Sequence, residues 1–181
     1  MRETKLWHST TIICVKKDDE VAMAGDGQVT FGDMVVKSNA VKIRKLYKNT
    51  VLSGFAGSAA DAFALLERFE MKLEKFSGDL LRASVTLAKD WRLDKALRHL
   101  DAMLIVADKQ NVFVISGDGN VLEPEEPVTA IGSGAGFAKA AALAFLKANP
   151  QMSVGNIARQ SLEITSKICI YTNSNIIVEI L

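Results

Sequence analysis

Thr10 is the residue whose type and position could do the most specific chemistry in this sequence. It follows the segment Met1–Ser9 and begins the run Thr10-Thr11-Ile12. If the chain is cut between Ser9 and Thr10, Thr10 gains a free α-amine beside its own hydroxyl. A threonine hydroxyl is a weak nucleophile and needs a base, and an α-amine with a pKa of about 8 can serve as one. The alternative is that Thr10 merely opens a β-strand.

Three further residues each have a structural and a chemical interpretation. Asp26 lies between Gly25 and Gly27, a pattern typical of a turn that breaks the strand before it. Lys42 alternates with apolar residues in Val41–Tyr47, which is typical of the solvated face of a strand. Gly54 interrupts the apolar strand Thr50–Ala56, which indicates a close backbone approach or a ligand.

Composition limits the classes of protein that the chain can belong to. It has 181 residues, 49% of them hydrophobic and 24% charged, which is typical of one globular domain. The net charge of +1 gives no argument for binding nucleic acid or a membrane. Residues 1–9 are polar and lack the apolar region of a secretion signal. We therefore expect a cytoplasmic location.

Histidine and cysteine are scarce, with only His8, His99, Cys14 and Cys169 in the chain. A Ser-His-Asp or Cys-His hydrolase would have to use one of these two histidines, and a zinc site would need more histidine and cysteine than the chain has. Two cysteines cannot form a disulfide framework, and they suit a reducing compartment. If the chain is a hydrolase, we expect it to work without histidine and without zinc.

The order of predicted elements indicates the fold class. Apolar and alternating runs predict strands at Thr10–Val15, Glu20–Ala24, Val41–Tyr47, Thr50–Ala56, Ala102–Ala107, Val112–Ser116, Val128–Ile131 and Asn175–Leu181. Helical spacing predicts one helix pair from Ser58 to Trp91. It predicts a second pair, in which the first helix ends near Ala148 and the second begins after Ser153. The predicted buried face of that last helix consists of Ile157, Ser161, Ile164 and Ile168. Because helices come in pairs, we expect an α+β protein, a four-layer αββα sandwich of two stacked antiparallel sheets flanked by helix pairs.

The glycine-rich loop Gly132–Gly136 precedes a helix and could cradle a phosphate. No Gly-Lys-Ser/Thr follows, as a Walker A loop would require, and Ile131 replaces the first glycine of a nucleophile elbow. The loop matches neither motif, but its position before a helix leaves a nucleotide-binding module as one alternative function.

Several motifs taken in order are far more specific than any one of them. The runs TTIICVKK, VAMAGDGQVTFGDMVVK, KIRKLY and VLSGFAGSAADAF, followed by LAKDWR, AIGSGAGFA and ICIYTN, extend from Thr10 nearly to the C-terminus. In this order they resemble the proteasome-type N-terminal nucleophile hydrolases, in particular the bacterial peptidase branch. The resemblance implies a threonine endopeptidase.

The resemblance also implies a role for each matching residue. Thr10 matches the catalytic threonine, and Asp26 the acid that orients and tunes the site. Lys42 matches the lysine beside the nucleophile, where a cation would lower the pKa of the α-amine. Gly54 matches the glycine whose N–H faces the oxyanion, and Ser133 the serine that relays protons near the amine.

A sodium ion is the cofactor that the resemblance implies, with no nucleotide bound by this chain. The positions that match its ligands are Ser166, Cys169 and Thr172, through backbone carbonyls. Ser166 stands where the family commonly has glycine.

The resemblance further implies how the chain is processed and assembled. Residues 1–9 would be an N-terminal extension removed as a propeptide, and residues 10–181 one peptidase domain. We expect two stacked hexameric rings that enclose the active sites, a hexameric AAA+ ATPase as allosteric activator, and unfolded proteins as substrates. Nucleic acid and membranes are not expected as partners. If residues 1–9 are retained, the chain would instead be a catalytically silent ring subunit.

Overall fold

A computed structural model describes residues 7–8, 10–57, 59–94 and 102–181 of the chain. The helices are α1 Ala59–Lys75, α2 Leu80–Leu93, α3 Ala135–Ala148 and α4 Val154–Ser166. The strands are β1 Trp7–His8, β2 Thr11–Lys17, β3 Glu20–Asp26, β4 Val29–Phe31, β5 Met34–Lys37, β6 Ile43–Leu46, β7 Val51–Gly57, β8 Ala102–Ala107, β9 Val112–Ser116, β10 Val121–Leu122, β11 Val128–Gly132 and β12 Ile176–Ile180. The predicted helix start at Ser58 and the predicted helical position of His99 lie outside the described residues.

Two antiparallel sheets are stacked face to face. One has the strand order β11-β2-β3-β12 and the other the order β10-β9-β8-β7-β6. Helices α3 and α4 cover the outer face of the first sheet, and α1 and α2 cover the outer face of the second. The predicted α+β class and four-layer αββα sandwich are confirmed.

Strand β2 shows why its sequence is apolar without a break. Ile12 and Cys14 point into the layer between the two sheets, whereas Ile13 and Val15 pack against α3 and α4. Because both faces of the strand are covered, polar alternation is absent. The same two-sided burial holds β2 rigidly in the middle of the molecule, with Thr10 directly before it.

Strand β3 is longer than the glycine pattern predicts. It continues through Gly25 to Asp26, where Gly25 pairs with Ile12 and Asp26 pairs with Ile176. A side chain at Gly25 would come within 2.6 Å of the Ile12 side chain, so this glycine allows close sheet packing rather than a turn. Pairing on both sides outweighs the low strand propensity of glycine. The predicted break at Gly25-Asp26-Gly27 is therefore wrong.

Helix α4 buries only part of the predicted face. Ile157 and Ser161 are buried as predicted, but Ile164 is 37% exposed and Ile168, beyond the end of the helix, is 55% exposed. At the C-terminal end of the helix the buried residue is Thr165, whose hydroxyl a count of large apolar side chains does not weigh.

A third, small sheet was not predicted from the sequence. It has the order β1-β4-β5, and β4 and β5 form a hairpin around the predicted turn at Phe31-Gly32-Asp33. In β1, Trp7 pairs with Phe31 and His8 pairs with Thr30. Trp7 and His8 therefore run as a short antiparallel strand along β4.

Candidate active site

Thr10 is held at the point where β2 begins, and its side chain is buried. Its backbone has a φ of 98°, which is a strained value for a β-branched residue. Its carbonyl oxygen accepts a hydrogen bond of 3.0 Å from the Ser133 N–H. The preceding Gly132 has a φ of 93°, and a side chain there would strike the Thr10 carbonyl oxygen. Thr10 and Ser133 are thus brought together at the end of the sheet.

Asp26 is fully inside the protein and is held by donors on both carboxylate oxygens. Oδ1 accepts the Thr11 N–H at 2.8 Å and the Lys42 ammonium at 3.2 Å. Oδ2 accepts the Gln28 N–H at 2.8 Å and the Asn173 N–H at 3.3 Å. Four donors fix the orientation of the carboxylate, and the first of them belongs to the peptide bond that follows Thr10.

Lys42 is buried rather than solvated, with 3% of its surface exposed. Its Nζ donates to Asp26 Oδ1 at 3.2 Å and to the Gln28 carbonyl oxygen at 2.5 Å. Burial lowers the pKa of Lys42 to about 8, while the Asp26 carboxylate acts in the opposite direction. The residue is therefore a cation at neutral pH, fixed beside the carboxylate that also holds the start of β2.

Thr11, the residue after Thr10, is bonded into the fold through both its backbone and its side chain. Its N–H is bonded to Asp26, and its hydroxyl lies 2.9 Å from the Gly134 nitrogen and 2.7 Å from the Thr172 hydroxyl. Thr11 is wholly buried, as Thr10 is. These bonds attach the start of β2 to Asp26, to the loop before α3 and to the segment after α4.

Gly54 is packed between the two sheets. It lies inside β7, level with Ile12, and a side chain there would approach the Met23 sulfur to 2.6 Å and Ile12 Cγ2 to 2.7 Å. The next residue, Phe55, donates its N–H to the Lys42 carbonyl on the β6 side. Because N–H directions alternate along an antiparallel strand, the Gly54 N–H points toward β8 and its partner Ile105. These contacts support a packing role for Gly54.

The end of β7 is the part of that strand that reaches the level of Thr10. Ala56 lies next to Gly132, which itself contacts the Thr10 carbonyl. Gly57 follows, with a φ of 126°, and its N–H points to the same side as that of Phe55. Sequence reasoning missed Gly57, although its position in the run GFAG is compatible with the same motif.

Ser133 is exposed beside Thr10, so its side chain is accessible from the surface. Two of the N–H groups in the loop around it are already bonded inside the protein. The Ser133 N–H is bonded to Thr10, and the Gly134 N–H is bonded to Thr11. This argues against the nucleotide-binding alternative.

The three residues matched to a cation site lie in one segment after α4. Ser166 ends the helix, the Cys169 N–H is bonded to the Thr165 carbonyl, and the Thr172 N–H is bonded to the Cys169 carbonyl. A helix C-terminus presents carbonyl oxygens and a partial negative charge, which suits a hard cation such as sodium. Across the described ranges, no cluster of three or more His, Cys, Asp or Glu residues could hold a metal ion. The donors that fit here are therefore backbone oxygens.

Gln28 and Asn173 also belong to the site and were missed from the sequence. Gln28 Nε2 donates to the Thr30 hydroxyl at 3.0 Å and to the Ile170 carbonyl at 2.8 Å. Asn173 Oδ1 accepts the Gly27 N–H at 3.1 Å. Together they attach β4 and the segment after α4 to the loop that follows Asp26. Amides in turns give no chemical signal in a single sequence.

A four-layer αββα sandwich with a threonine at the start of a central strand, beside a buried lysine and aspartate, defines the class of N-terminal nucleophile hydrolases. A family model described as Proteasome subunit matches residues 7–181. The chain belongs to the proteasome subunit family.

Its relatives specify the branch of that family. It is 57% identical over 171 residues to the ATP-dependent protease subunit HslV of Treponema denticola, covering 94% of this chain and 96% of the relative. It is 55% identical to the protein of the same name from Aquifex aeolicus, over 94% of this chain and 97% of the relative. Among solved structures, the eukaryotic HslV of Trypanosoma brucei has a TM-score of 0.89 at 45% identity, covering 94% of this chain and 98% of that one.

Thiobacillus denitrificans BPH, at 18% identity, shares the fold with a TM-score of 0.72 over 94% of this chain and 97% of that one. Within the described residues, no helix has both the length and the apolarity needed to cross a bilayer.

Proposed function

We propose that this chain is a threonine endopeptidase and the proteolytic subunit of an HslV-type ATP-dependent protease. The observation that carries the proposal is the Asp26 carboxylate, which binds both the Lys42 ammonium and the N–H that follows Thr10. This contact ties the candidate nucleophile to a buried cation. The names of the relatives that cover nearly the whole chain support the same activity.

The proposed reaction begins when the Thr10 hydroxyl attacks a peptide carbonyl and its own α-amine accepts the proton. The Lys42 ammonium disfavours a second positive charge nearby, so it holds the amine in its basic form. The oxyanion is met by a backbone N–H at the end of β7, for which Gly57 is a better candidate than Gly54. The amine returns the proton to the leaving group, and water then hydrolyses the acyl ester on Thr10. Ser133 relays protons beside the amine.

The free amine requires removal of residues 1–9, which we propose are a propeptide. The pairing of Trp7 and His8 with β4 supports this, because it lays the segment along an edge where an extended peptide can bind. If the segment is retained, the Thr10 nitrogen stays in a peptide bond and the chain is a silent ring subunit. Intact-mass analysis and N-terminal sequencing of the purified protein distinguish the two states.

Assembly and partners follow from the same branch of the family. We propose two stacked hexameric rings, and activation by a hexameric AAA+ ATPase, HslU, that delivers unfolded proteins. Sedimentation of the purified chain tests the rings. Peptide hydrolysis with and without the ATPase tests the activation.

Sodium is proposed as a structural ion on the backbone carbonyls of Ser166, Cys169 and Thr172. Bound there, it would supply positive charge to the C-terminal end of α4. Thr172 also bonds to Thr11, so the segment that would hold the ion is attached to the site. Thermal unfolding in sodium and in a bulky organic cation at equal ionic strength tests the proposal, with a higher midpoint expected in sodium.

Thr10→Ala is the decisive test of the mechanism. We expect it to abolish hydrolysis of a fluorogenic peptide while ring assembly is unchanged. Thr129→Ala is the matched control, because Thr129 lies in β11 and pairs with Cys14 in the middle of β2, away from Thr10. Full activity of Thr10→Ala would exclude Thr10 as the nucleophile.

A further inference from the structure

Gly134 is enclosed by the side chains of three threonines that come from three separate parts of the chain. A side chain built on Gly134 would lie 2.4 Å from Thr11 Oγ1, 2.5 Å from Thr165 Cγ2 and 2.9 Å from Thr172 Oγ1. All three threonines are buried. The residue that follows Ser133 is therefore fixed by close contact with β2, α4 and the segment after α4.

The hydroxyls of two of these threonines form a hydrogen-bonded chain. The Gly134 N–H donates to Thr11 Oγ1 at 2.9 Å, and Thr11 Oγ1 lies 2.7 Å from Thr172 Oγ1. The third hydroxyl, on Thr165, donates instead to the Ser161 carbonyl of its own helix. Thr165 therefore takes part in the packing around Gly134 but not in this chain.

These hydrogen-bonded hydroxyls lie next to the contact between Thr10 and Ser133. The Ser133 N–H bonds to the Thr10 carbonyl, and the Gly134 N–H bonds to the hydroxyl of Thr11. Ser133 and Gly134 are thus bonded, in that order, to Thr10 and Thr11. Gly134 is the N-cap of α3 and has no side chain with which to fix this loop itself, so the hydroxyl comes from Thr11.

We propose that Thr11 and Thr172 are positioning residues, whose linked hydroxyls set the distance between Ser133 and the Thr10 nucleophile. The inference rests on the proposed function, since it concerns the same threonine site. Both threonines are buried, and the contacts described for their hydroxyls are with each other and with the Gly134 N–H. Loss of either one lets the Ser133 loop shift, and small displacements at a reacting centre are costly in rate.

The test compares Thr11→Val and Thr172→Val with Thr165→Val, because each change removes one buried hydroxyl and keeps the shape. Peptide hydrolysis is normalised to the fraction of chains that begin at Thr10, measured by intact mass. We expect kcat to fall about tenfold or more for Thr11→Val and Thr172→Val while KM stays within about twofold, since positioning affects the transition state rather than binding. Thr165→Val should keep kcat within about twofold of the unmodified chain.

Two further variants separate positioning from general loss of structure. Thr11→Ser restores the hydroxyl and should recover most of kcat. The double variant Thr11→Val/Thr172→Val should be no slower than the slower single variant, because both changes break one chain. If Thr11→Val fails to fold, Thr172→Val decides the question, because it removes only the outer hydroxyl.

The inference is overturned if both valine variants keep kcat at the level of Thr165→Val, or if the two losses simply add. Thr10→Ala is measured in parallel to separate this failure from that of the proposed function. If Thr10→Ala is inactive and the valine variants are normal, only the proposed positioning role is excluded. An active Thr10→Ala removes the mechanism and the positioning role together.

Discussion

Lys42→Met removes the buried cation of the site while keeping a side chain of similar length. In the wild type, Lys42 Nζ lies 3.2 Å from Asp26 Oδ1, and the two side chains are 2% and 0% exposed. Breaking a buried ion pair by removing one partner costs about 3–5 kcal/mol, because it leaves the other charge uncompensated. Three N–H donors remain on Asp26, so we expect a loss near the lower limit, about 3 kcal/mol.

Lys45→Met is the matched control, since Lys45 lies in β6, the strand that Lys42 directly precedes. Its partner Glu179 is 3.1 Å away, and the two side chains are 32% and 39% exposed. An exposed pair of this kind contributes about 0–1 kcal/mol. The assay is urea unfolding of all three proteins at equal subunit concentration, because assembly contributes to apparent stability. Equal losses for the two variants would refute the assignment of Lys42 and Asp26 as a buried pair.

The pH dependence of stability gives a second test of the burial of Lys42. The folded pKa of Lys42 is lowered from 10.5 to about 8, so the unfolded chain binds more protons between these values. Stability contributed by Lys42 therefore rises as the pH increases from about 8 to about 10.5. Burial raises the pKa of Cys14 from its ordinary value of 9.0 to about 12, so the Cys14 contribution to stability falls as the pH rises between these values. The difference between the wild type and Lys42→Met isolates the lysine, and a flat difference across this range would contradict its burial.

Three other variants and one reagent test separate features of the structure. Gly54→Ala should lower the free energy of unfolding by about 1–3 kcal/mol, because its methyl group meets Ile12 and Met23. Gly136→Ala, where a side chain meets nothing within 4 Å, should instead be neutral or stabilising in the same urea titration. Native Cys14 should resist alkylation at pH 8 until the protein is unfolded, and peptide mass mapping would detect early labelling that contradicts this. Lys42→Ala should lower peptidase kcat by orders of magnitude at unchanged assembly, and a near-normal rate would separate the buried lysine from catalysis.

The fold could be predicted because its main elements follow simple periodicities. The strands that are covered on both faces are continuous apolar runs, and α1 and α2 repeat their large side chains at helical spacing. The predictions fail where strand pairing or packing outweighs the local sequence pattern. Gly25 lies in a strand because two neighbours pair there, and Thr165 is buried although its side chain carries a hydroxyl.

The site could be predicted only in part, because distant contacts define it. Asp26 and Lys42 stand out by their motifs, and the structure joins them directly. Thr11 and Thr172 could not be found in this way, because a buried threonine in a strand or loop looks like any other β-branched residue. Gly54 and Gly57 share one strand, and only the positions of Ile12 and Gly132 show which of the two reaches Thr10.

The pairing of β1 with β4 has a consequence for the timing of maturation. Trp7 and His8 are held by strand pairing with Phe31 and Thr30, independently of the peptide bond before Thr10. Cutting that bond therefore leaves the severed segment on β4 until it dissociates. If residues 1–9 are removed as proposed, activity should lag behind the appearance of the new N-terminus by the residence time of this peptide, and the extension would act as a short delay between cleavage and the first turnover.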